Sequence, residues 1–176
     1  MLSSGTTRRP RRVAMTWRRL ETGTLCNLRV YGVGKRGVWA PMTTVDSLLG
    51  LSLAMIAWGV GGAITAGFQL DGLVAVMEAN PEGVLAATPM QLRALLGMLP
   101  RGFQPKPGWR IVTGGSVLPV AVADEVVLRI SPDLRIVYGS TEASQIAAGP
   151  ATDLVEHPGQ AGITPAGAVV RIVDDA

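Results

Sequence analysis

Short apolar segments alternate with longer amphipathic segments from about residue 64 onward, and this alternation restricts the possible folds more than any other feature of the sequence. The short segments have the length and composition of buried strands, and the longer ones have apolar residues at helical spacing. The strand-like segments are EGVLAAT, WRIVTGG, LRIVYGS and AVVRIVDD, and the helix-like segments are DGLVAVMEANP, PMQLRALLGMLP and LPVAVADEVVLRI. Strands and helices that alternate in this way form parallel, right-handed crossover units. The sequence therefore predicts an α/β fold with a mostly parallel sheet flanked by helices.

The start of one predicted helix is marked by two residues. Thr88 is a good N-cap, and Pro89 is favourable in the first helical turn because its missing N–H would have no helical partner there. We expect PMQLRALLGMLP to begin a helix at this point.

Residues 47–70 carry no charge between Asp46 and Asp71, and their length and apolarity would permit a transmembrane helix. Glycines interrupt the stretch, and each costs a helix about 1 kcal/mol relative to Ala. We predict a buried helix that ends near Trp58, a turn at the glycine cluster Gly59–Gly62, and a short strand over AITAGF. A membrane anchor formed by the whole stretch is the alternative.

The positive charge is concentrated at the start of the chain. Residues 1–36 hold nine of the sixteen Lys and Arg residues and a single acidic residue, whereas the rest of the chain has seven bases and twelve acids. A cluster such as RRPRR can bind nucleic acid or anionic lipid, or act as an Arg-rich targeting segment. No aromatic residues alternate with these arginines, as they would in a single-strand binder. A solvated or phosphate-facing loop is therefore favoured over nucleic-acid binding.

The composition indicates a chain that buries a core in a reducing compartment. Its 176 residues suffice for one domain or part of a larger one, and an apolar content of 48% argues against disorder. Cys26 is the single cysteine, which excludes an internal disulfide and a metal cluster of thiolates. We expect a cytoplasmic protein in which this thiol is half-buried and unreactive.

Two glycine-containing segments follow predicted strands at their carboxyl ends. The first is VTGGS, residues 112–116, and the second is VYGSTE, residues 137–142. In open parallel sheets, ligands bind beyond the carboxyl ends of the strands. We therefore expect the two segments to lie side by side and to form one site. The candidate residues are Gly114, Gly115, Ser116, Tyr138, Gly139, Ser140, Thr141 and Glu142.

The residue types in these segments suit a nucleotide. Glycines let the backbone approach a ligand closely, and the hydroxyls of Ser140 and Thr141 can donate to phosphate oxygens. Glu142 can hold a magnesium ion through its carboxylate, and Tyr138 offers a flat ring to a base. A polar turn without a ligand is the simpler interpretation of GGS taken alone, but not of the combination YGSTE.

A third segment of this kind opens the chain. LSSGTTRRPRRV, residues 2–13, combines small hydroxyl residues, a glycine and arginines. Backbone N–H groups, small side chains and nearby cations are what a polyphosphate-binding loop needs. It is not a Walker sequence, because the Gly-Lys-Ser/Thr ending is missing. The candidate phosphate-binding residues are Ser3, Ser4, Gly5, Thr6, Thr7 and Arg11.

Taken in order, these segments resemble the adenylate-forming enzymes, which include acyl-CoA synthetases, aryl- and fatty-acid–CoA ligases, luciferases and the adenylation domains of peptide synthetases. Ser3–Thr7 and Pro10 match the phosphate loop of the family, Gly114–Gly115 match its glycine pair, and Tyr138–Glu142 match its YGxTE motif. ATPMQLRALL and HPGQAGITPAGAVVRIVDD are similar to two further passages of the family. The resemblance covers nearly the whole chain and implies a part of the large N-terminal domain.

The resemblance also implies a reaction and a set of roles. A carboxylate attacks the α-phosphate of ATP to give an acyl-adenylate and pyrophosphate, and the thiol of coenzyme A then takes the acyl group. Ser3–Thr7 would cradle the β- and γ-phosphates, and Gly114–Ser116 would flank the adenine and the acyl pocket. Tyr138 would stack on adenine, Thr141 would contact the α-phosphate and Glu142 would hold Mg²⁺. The implied ligands are ATP, Mg²⁺, coenzyme A and a small-molecule carboxylate.

The sequence departs from the family pattern in two places. Arg8, Arg11 and Arg12 replace a glycine, a lysine and a closing glycine of the phosphate loop. Arg11 keeps the charge, but the other two add bulk where the backbone should turn freely. PMTTVDSLLGL lacks the His that the family often carries there, and His157 lies elsewhere, where we expect an exposed bystander.

The resemblance implies that a complete enzyme has a large part before the phosphate loop. After RIVDD it also has a ribose-binding Asp, a hinge and a C-terminal domain with a catalytic Lys. We expect this chain to be a central fragment, with a basic segment at 1–36, a core portion at 37–167 and the start of a following strand at 168–176. We expect no ligase activity from it alone, and the missing segments as its partners. A non-catalytic remnant and a small membrane-associated protein anchored by 47–70 are the alternatives.

Overall fold

The computed structural model describes residues 12–32, 37–65, 70–165 and 169–173, and within them helices lie on both faces of a six-stranded sheet. The helices are α1 (Trp17–Tyr31), α2 (Leu48–Gly59), α3 (Leu70–Ala79), α4 (Pro89–Met98), α5 (Val120–Arg129) and α6 (Asp153–Glu156). The strands are β1 (Val38–Pro41), β2 (Ala63–Ile64), β3 (Gly83–Ala87), β4 (Trp109–Gly114), β5 (Asp133–Ser140) and β6 (Ser144–Pro150). The predicted α/β fold with helices on both faces is confirmed.

The strand order is β2-β1-β3-β4-β5-β6, and neighbouring strands are parallel except for β5 and β6. The parallel pairs are joined by helical crossovers, as the alternation of segments predicted. We did not predict β6. It follows β5 after a short turn and returns antiparallel to it, so it needs no crossover helix and leaves no alternating pattern.

The core has two layers, one on each face of the sheet. Helices α3, α4 and α5 cover one face, where the packed side chains include Leu73, Met77, Leu92, Leu95, Trp109, Ile111 and Val126. Helices α1 and α2 contribute to the other face, where the cluster consists of Tyr31, Trp39, Leu53, Ile56, Ala57, Val84, Ala86 and Val112. Trp109 and Ile111 of β4 lie in the first layer and Val112 lies in the second, which is the alternation of a strand buried on both sides.

Capping residues and glycines in the sequence correctly predicted one end of each of two helices. Helix α4 starts at Pro89, and Thr88 and Gln91 form a reciprocal capping box at its N-terminus. Helix α2 ends at Gly59 and is followed by a turn, close to the predicted end at Trp58. In the described part of the chain, no helix is long and apolar enough to span a membrane.

Helix α1 was not predicted, because the basic character of this region suggested a loop. The Oγ1 atom of Thr16 accepts a hydrogen bond from the backbone N–H of Arg19 and caps the N-terminus. Gly32 ends the helix in a left-handed conformation, with φ of 34°. Leu20 and Tyr31 are buried and Arg18 and Arg19 are exposed, so α1 is an amphipathic helix.

One strand prediction fails in the described residues, and a second is confirmed in the part that is described. AVVRIVDD was predicted as a final strand, but residues 169–173 form no strand, and Ile172 is 97% exposed. An apolar run becomes a strand only where a neighbour supplies hydrogen bonds, and none of the described strands lies beside it. The strand predicted over AITAGF is present at Ala63–Ile64, and residues 66–68 of that segment lie outside the described residues.

A cluster of charged side chains lies at the amino-terminal ends of β4 and β5. Asp133 accepts from Nε of Arg110 at 2.7 Å and from Nε of Arg135 at 2.8 Å. Nη1 of Arg110 also donates to the carbonyl of Val30 at 2.8 Å, which ties the end of α1 to the sheet. Burial by itself would raise the pKa of the Asp133 carboxyl, but hydrogen bonds from Arg135 and Arg110 outweigh it and lower the pKa below its ordinary value.

We expect Asp133→Asn to make the free energy of unfolding fall less steeply as the pH is lowered from 7 to 3. Because the folded pKa is lowered, the ionised carboxylate stabilises the fold above its unfolded pKa of about 3.9, and this contribution is lost as the pH falls through the folded pKa. The cluster is partly exposed, so the difference at pH 7 should be at most about 1 kcal/mol. Urea unfolding between pH 3 and pH 7 measures it, with the exposed Asp124→Asn as the control. An unchanged pH slope in Asp133→Asn would contradict the assignment.

Candidate functional site

A cleft of about 450 Å³ opens at the carboxyl edge of the sheet, between helices α1 and α2 and the ends of β3, β4 and β5. Strands β4 and β5 are parallel and in register, with Gly114 opposite Val137. VTGG and VYGS therefore end at the same edge, as predicted. Of the predicted residues, those that line the cleft are Gly114, Gly115, Gly139, Ser140 and Thr141.

Two glycines allow the strands at this edge to approach closely. A Cβ atom at Gly114 would lie 2.4 Å from the carbonyl oxygen of Val137, and one at Gly139 would lie 2.3 Å from the carbonyl oxygen of Ser144. Both contacts are with backbone, which cannot rotate away as a side chain can. These glycines are therefore required for the geometry of the site.

Gly115 has a different role. Its φ of +87° favours glycine, and an added Cβ would meet only Cγ2 of Thr88, at 3.9 Å. The space in front of this residue is otherwise open to the cleft. Gly115 is therefore a point at which a ligand can approach the backbone closely.

The turn between β5 and β6 carries the remaining predicted residues of the site. Oγ of Ser140 accepts a hydrogen bond from the backbone N–H of Ala143 at 3.0 Å, which closes the turn. Thr141 is half-buried and lines the cleft, whereas Glu142 is exposed beside it. Tyr138 is 55% exposed and lies outside the cleft lining, as do Ser116 and Glu142. The predicted phosphate-loop residues Ser3, Ser4, Gly5, Thr6, Thr7 and Arg11 lie outside the described residues.

The donors near the cleft suit a magnesium ion that is bound together with phosphate. Among the described residues, no group of three or more His, Cys, Asp or Glu side chains could hold a metal ion. Mg²⁺ usually takes one or two carboxylates, waters and substrate phosphates rather than a cage made only of protein ligands. The exposed carboxylate of Glu142, next to a turn rich in hydroxyls, fits that pattern.

Three residues of the cleft lining, which sequence reasoning did not single out, carry polar atoms that are themselves shielded from the cleft. The hydroxyls of Tyr31 and Thr113 and Oε1 of Gln145 are buried without a hydrogen-bond partner, and all three residues line the cleft. Tyr31 and Thr113 are each only 1% exposed. Burial raises the pKa of the Tyr31 phenol far above its usual value, so the group stays neutral. Thr113 lies inside the quoted VTGGS, but Tyr31 and Gln145 lie on α1 and β6, which were not predicted.

We expect Tyr31→Phe to raise the free energy of unfolding of the ligand-free chain by about 1 kcal/mol. A buried hydroxyl without a partner costs about 1–3 kcal/mol of desolvation, and Phe removes the hydroxyl while keeping the ring. Tyr138→Phe is the matched control, since the ring of Tyr138 is exposed; its effect should stay within about 0.5 kcal/mol. Chemical denaturation of both variants measures the difference. Destabilisation by Tyr31→Phe would show that its hydroxyl has a partner in solution.

Two residues to which the sequence analysis assigned no function have the burial that it predicted. Cys26 is half-buried on α1, and His157 is exposed at the end of α6. Neither lines the cleft.

Comparisons with known proteins give a family and a fold. The model of the AMP-binding enzyme family matches residues 1–176. No curated protein matches the chain. The solved structure of o-succinylbenzoate coenzyme A synthetase (MenE) from Bacillus subtilis, in complex with ATP and magnesium ion, is 21% identical, with a TM-score of 0.81 over 99% of this chain and 37% of that one.

Two further structures give the same result. ATP-bound MatB from Rhodopseudomonas palustris is 19% identical, with a TM-score of 0.76 over 95% of this chain and 33% of that one. The ATP-bound chimera RpMatB-BxBclM B3 is 20% identical, with a TM-score of 0.79 over 95% of this chain and 33% of that one. This chain thus spans about a third of the length of each structure.

Proposed function

The chain belongs to the AMP-binding enzyme family, whose model matches it from end to end, and we propose that its cleft binds ATP for the adenylation of a carboxylic acid. Its mostly parallel sheet is that of the N-terminal domain of adenylate-forming enzymes such as MenE. The observation that carries the proposal is the meeting of the Gly115 turn and the Ser140–Glu142 turn at one edge of the sheet.

The proposed reaction has two steps. An oxygen of the substrate carboxylate attacks the α-phosphorus of ATP, and the bond from that phosphorus to the bridging oxygen breaks. Pyrophosphate leaves with the bonding electron pair, and an acyl-adenylate remains. The thiol sulfur of coenzyme A then attacks the acyl carbon, loses its proton and displaces AMP. This is the acyl-CoA ligase chemistry of which the fatty-acid ligases are one branch.

Each residue at this edge has a proposed part in binding or positioning. Gly115 lets the nucleotide lie against the backbone, and Tyr138 presents an exposed ring to the adenine. The hydroxyl of Thr141 donates to an α-phosphate oxygen, and Glu142 helps to hold Mg²⁺. When bound, that ion neutralises charge on the phosphates. Preorganised donors of this kind stabilise the charge that develops during transfer.

The proposal extends to residues and segments beyond the cleft. Ser3, Ser4, Gly5, Thr6, Thr7 and Arg11 are proposed to cradle the β- and γ-phosphates. In the solved structures the matched region is about a third of the chain, and we propose that a counterpart of the remainder completes the site. The proposed location is the cytoplasm, where ATP and coenzyme A are supplied.

We expect the chain to bind ATP in a magnesium-dependent way. Isothermal titration calorimetry with ATP, with and without Mg²⁺, measures this directly, and AMP tests the adenosine and α-phosphate contacts alone. ATP should bind more tightly with Mg²⁺ than in EDTA, whereas AMP should be insensitive to the ion because Glu142 has no β- or γ-phosphate to share it with. Binding of neither nucleotide would overturn the proposed function.

A further inference from the structure

We propose that Gln91 is a positioning residue for nucleotide binding, because its side-chain amide holds the loop after β1, residues 42–47, against the start of α4. The inference rests on the proposed function, in which the nucleotide occupies the cleft. It is carried by the two hydrogen bonds of this amide, by the way the loop is closed on itself and by the contact between Thr88 and Gly115.

The amide of Gln91 is used at both of its ends. Oε1 accepts a hydrogen bond from the backbone N–H of Thr88 at 2.8 Å, which is half of the capping box of α4. Nε2 donates to the carbonyl of Met42 at 2.8 Å, across 49 positions of the sequence. A flipped amide would set donor against donor and acceptor against acceptor, so the two partners fix its orientation.

The bond to Met42 explains why this residue is an amide. A capping box takes Glu as well as Gln at this position, since either side chain can accept from the N–H of the N-cap residue. An ionised carboxylate, however, has no proton to donate and would place a second acceptor against the carbonyl of Met42. The start of α4 therefore does not require Gln91 to be an amide, whereas the link to the loop does.

The loop that Gln91 contacts is a compact unit. The hydroxyls of Thr43 and Ser47 are hydrogen-bonded at 2.9 Å, and Oγ of Ser47 donates to the carbonyl of Thr44 at 2.7 Å. The same Oγ accepts from the backbone N–H of Gly50 and caps α2. Because these bonds join the loop to itself and to the first turn of α2, a displacement at its start moves the whole unit.

The start of the loop is held from two sides. The backbone N–H of Met42 donates to the carbonyl of Ala86 at 2.8 Å, which continues the pairing of β1 with β3. The carbonyl of Met42 belongs to the next peptide unit, and Gln91 holds it. Loss of the Gln91 bond therefore frees the peptide unit from which the loop begins, while Met42 stays paired with the sheet.

Gln91 also joins the loop to the proposed nucleotide contact. Both the loop and the start of α4 line the cleft, through Met42, Thr43, Ser47, Thr88 and Gln91. A Cβ atom at Gly115 would lie 3.9 Å from Cγ2 of Thr88. Contacts thus run from the loop through Gln91 and Thr88 to the turn where the nucleotide is proposed to approach the backbone. Gln91 helps to fix the width of the cleft at that point.

The test removes the bond to Met42 in two ways. Gln91→Glu keeps the acceptor that caps Thr88 but loses the donor and adds a charge, whereas Gln91→Met loses both hydrogen bonds and adds no charge. A displaced loop lowers the fraction of chains with a formed cleft, so both variants should bind ATP about three- to tenfold more weakly than the parent. Calorimetric titration of the full chain with ATP and Mg²⁺ at pH 8 measures this.

Gln104→Glu is the matched control. Gln104 is exposed, its Nε2 donates to the carbonyl of Gly102 at 3.0 Å, and it lies outside the cleft lining. The same substitution there should leave ATP binding unchanged, and circular dichroism at the titration temperature identifies the folded fraction. Weaker binding in Gln91→Glu alone would mean repulsion by the new charge, and weaker binding in Gln91→Met alone would mean loss of the cap. Either result overturns the inference.

The pH dependence of binding tests the role of the donor. The protonated carboxyl of Gln91→Glu can donate to Met42 while its other oxygen caps Thr88, and the ordinary pKa of a Glu carboxyl is about 4.3. The ratio of parent to variant affinity should therefore at least halve between pH 8 and pH 4.5 in Gln91→Glu and stay constant in Gln91→Met. A constant ratio in both variants contradicts the assignment.

The parent titration separates the two proposals. Binding of ATP by the parent with equal binding by both Gln91 variants overturns this inference alone. A parent that binds neither ATP nor AMP overturns the proposed function, and this inference with it.

Discussion

Replacing Gly114 by Ala is expected to lower the free energy of unfolding by about 3 kcal/mol or more, the upper part of the range for single substitutions. The new Cβ would lie 2.4 Å from the carbonyl oxygen of Val137, on the neighbouring strand. Relief requires β4 and β5 to separate where Gly114 and Val137 are paired. Overpacking a well-packed site typically costs about 1–3 kcal/mol, and here the obstacle is backbone rather than a side chain.

The same substitution at Gly97 provides the matched control. Gly97 is exposed near the end of α4, and an added Cβ would meet nothing within 4 Å. Ala should therefore stabilise the chain by about 0.5–1 kcal/mol through its better helix propensity. Urea denaturation of both variants measures the two changes in the free energy of unfolding, which should have opposite signs. Equal effects would show that β4 and β5 are further apart than the structure places them.

Gly114→Ala should also distort the site, because the strand pairing that Gly114 permits positions Gly115 and the β5–β6 turn together. We expect the variant to lose ATP binding even at temperatures where it stays folded. Circular dichroism at the titration temperature identifies the folded fraction, so that loss of binding is not confused with unfolding.

The sequence was most informative where rules of chain direction apply. Parallel strands joined by crossovers end at one edge, so the carboxyl ends of WRIVTGG and LRIVYGS could be brought together before the structure was known. Caps such as Thr88 and breaks such as Gly59 are local signals, and both were placed within a residue or two. The helix ends depend on short-range chemistry. The shared edge of the two strands depends on the general rule that crossover connections join parallel strands.

Features set by tertiary packing were missed. Helix α1 has Arg18 and Arg19 on its exposed side and the polar Asn27 among its buried residues, so its apolar side is weakly marked in the sequence. β6 depends on its pairing with β5, and AVVRIVDD has the pattern of a strand without a described partner. Polar side chains of the cleft lining such as Asn27, Tyr31 and Gln145 therefore come from elements that periodicity could not identify. The resemblance to a family suggested the edge of the sheet but not these side chains.

The second large effect is expected at Glu142, where Glu142→Gln should weaken the binding of magnesium-bound ATP by about ten- to one-hundredfold. A contact to a charged group is worth about 1.5–3 kcal/mol, and about 1.4 kcal/mol corresponds to a factor of ten in affinity. The amide keeps the shape of the carboxylate but not its charge, and Mg²⁺ prefers anionic oxygen. Because Glu142 is exposed, the substitution should leave the free energy of unfolding within about 0.5 kcal/mol of the parent value.

The dependence on the ion distinguishes this role from a general effect of charge. Calorimetric titration of Glu142→Gln should show weaker binding of ATP in Mg²⁺ but unchanged binding of AMP in EDTA, since AMP lacks the phosphates that would share the ion. Glu78→Gln removes the same charge from an exposed position on α3 and should leave both titrations unchanged. Equal loss of AMP binding in Glu142→Gln would mean that the carboxylate shapes the turn instead of holding the ion, because only metal coordination makes its effect depend on the β- and γ-phosphates.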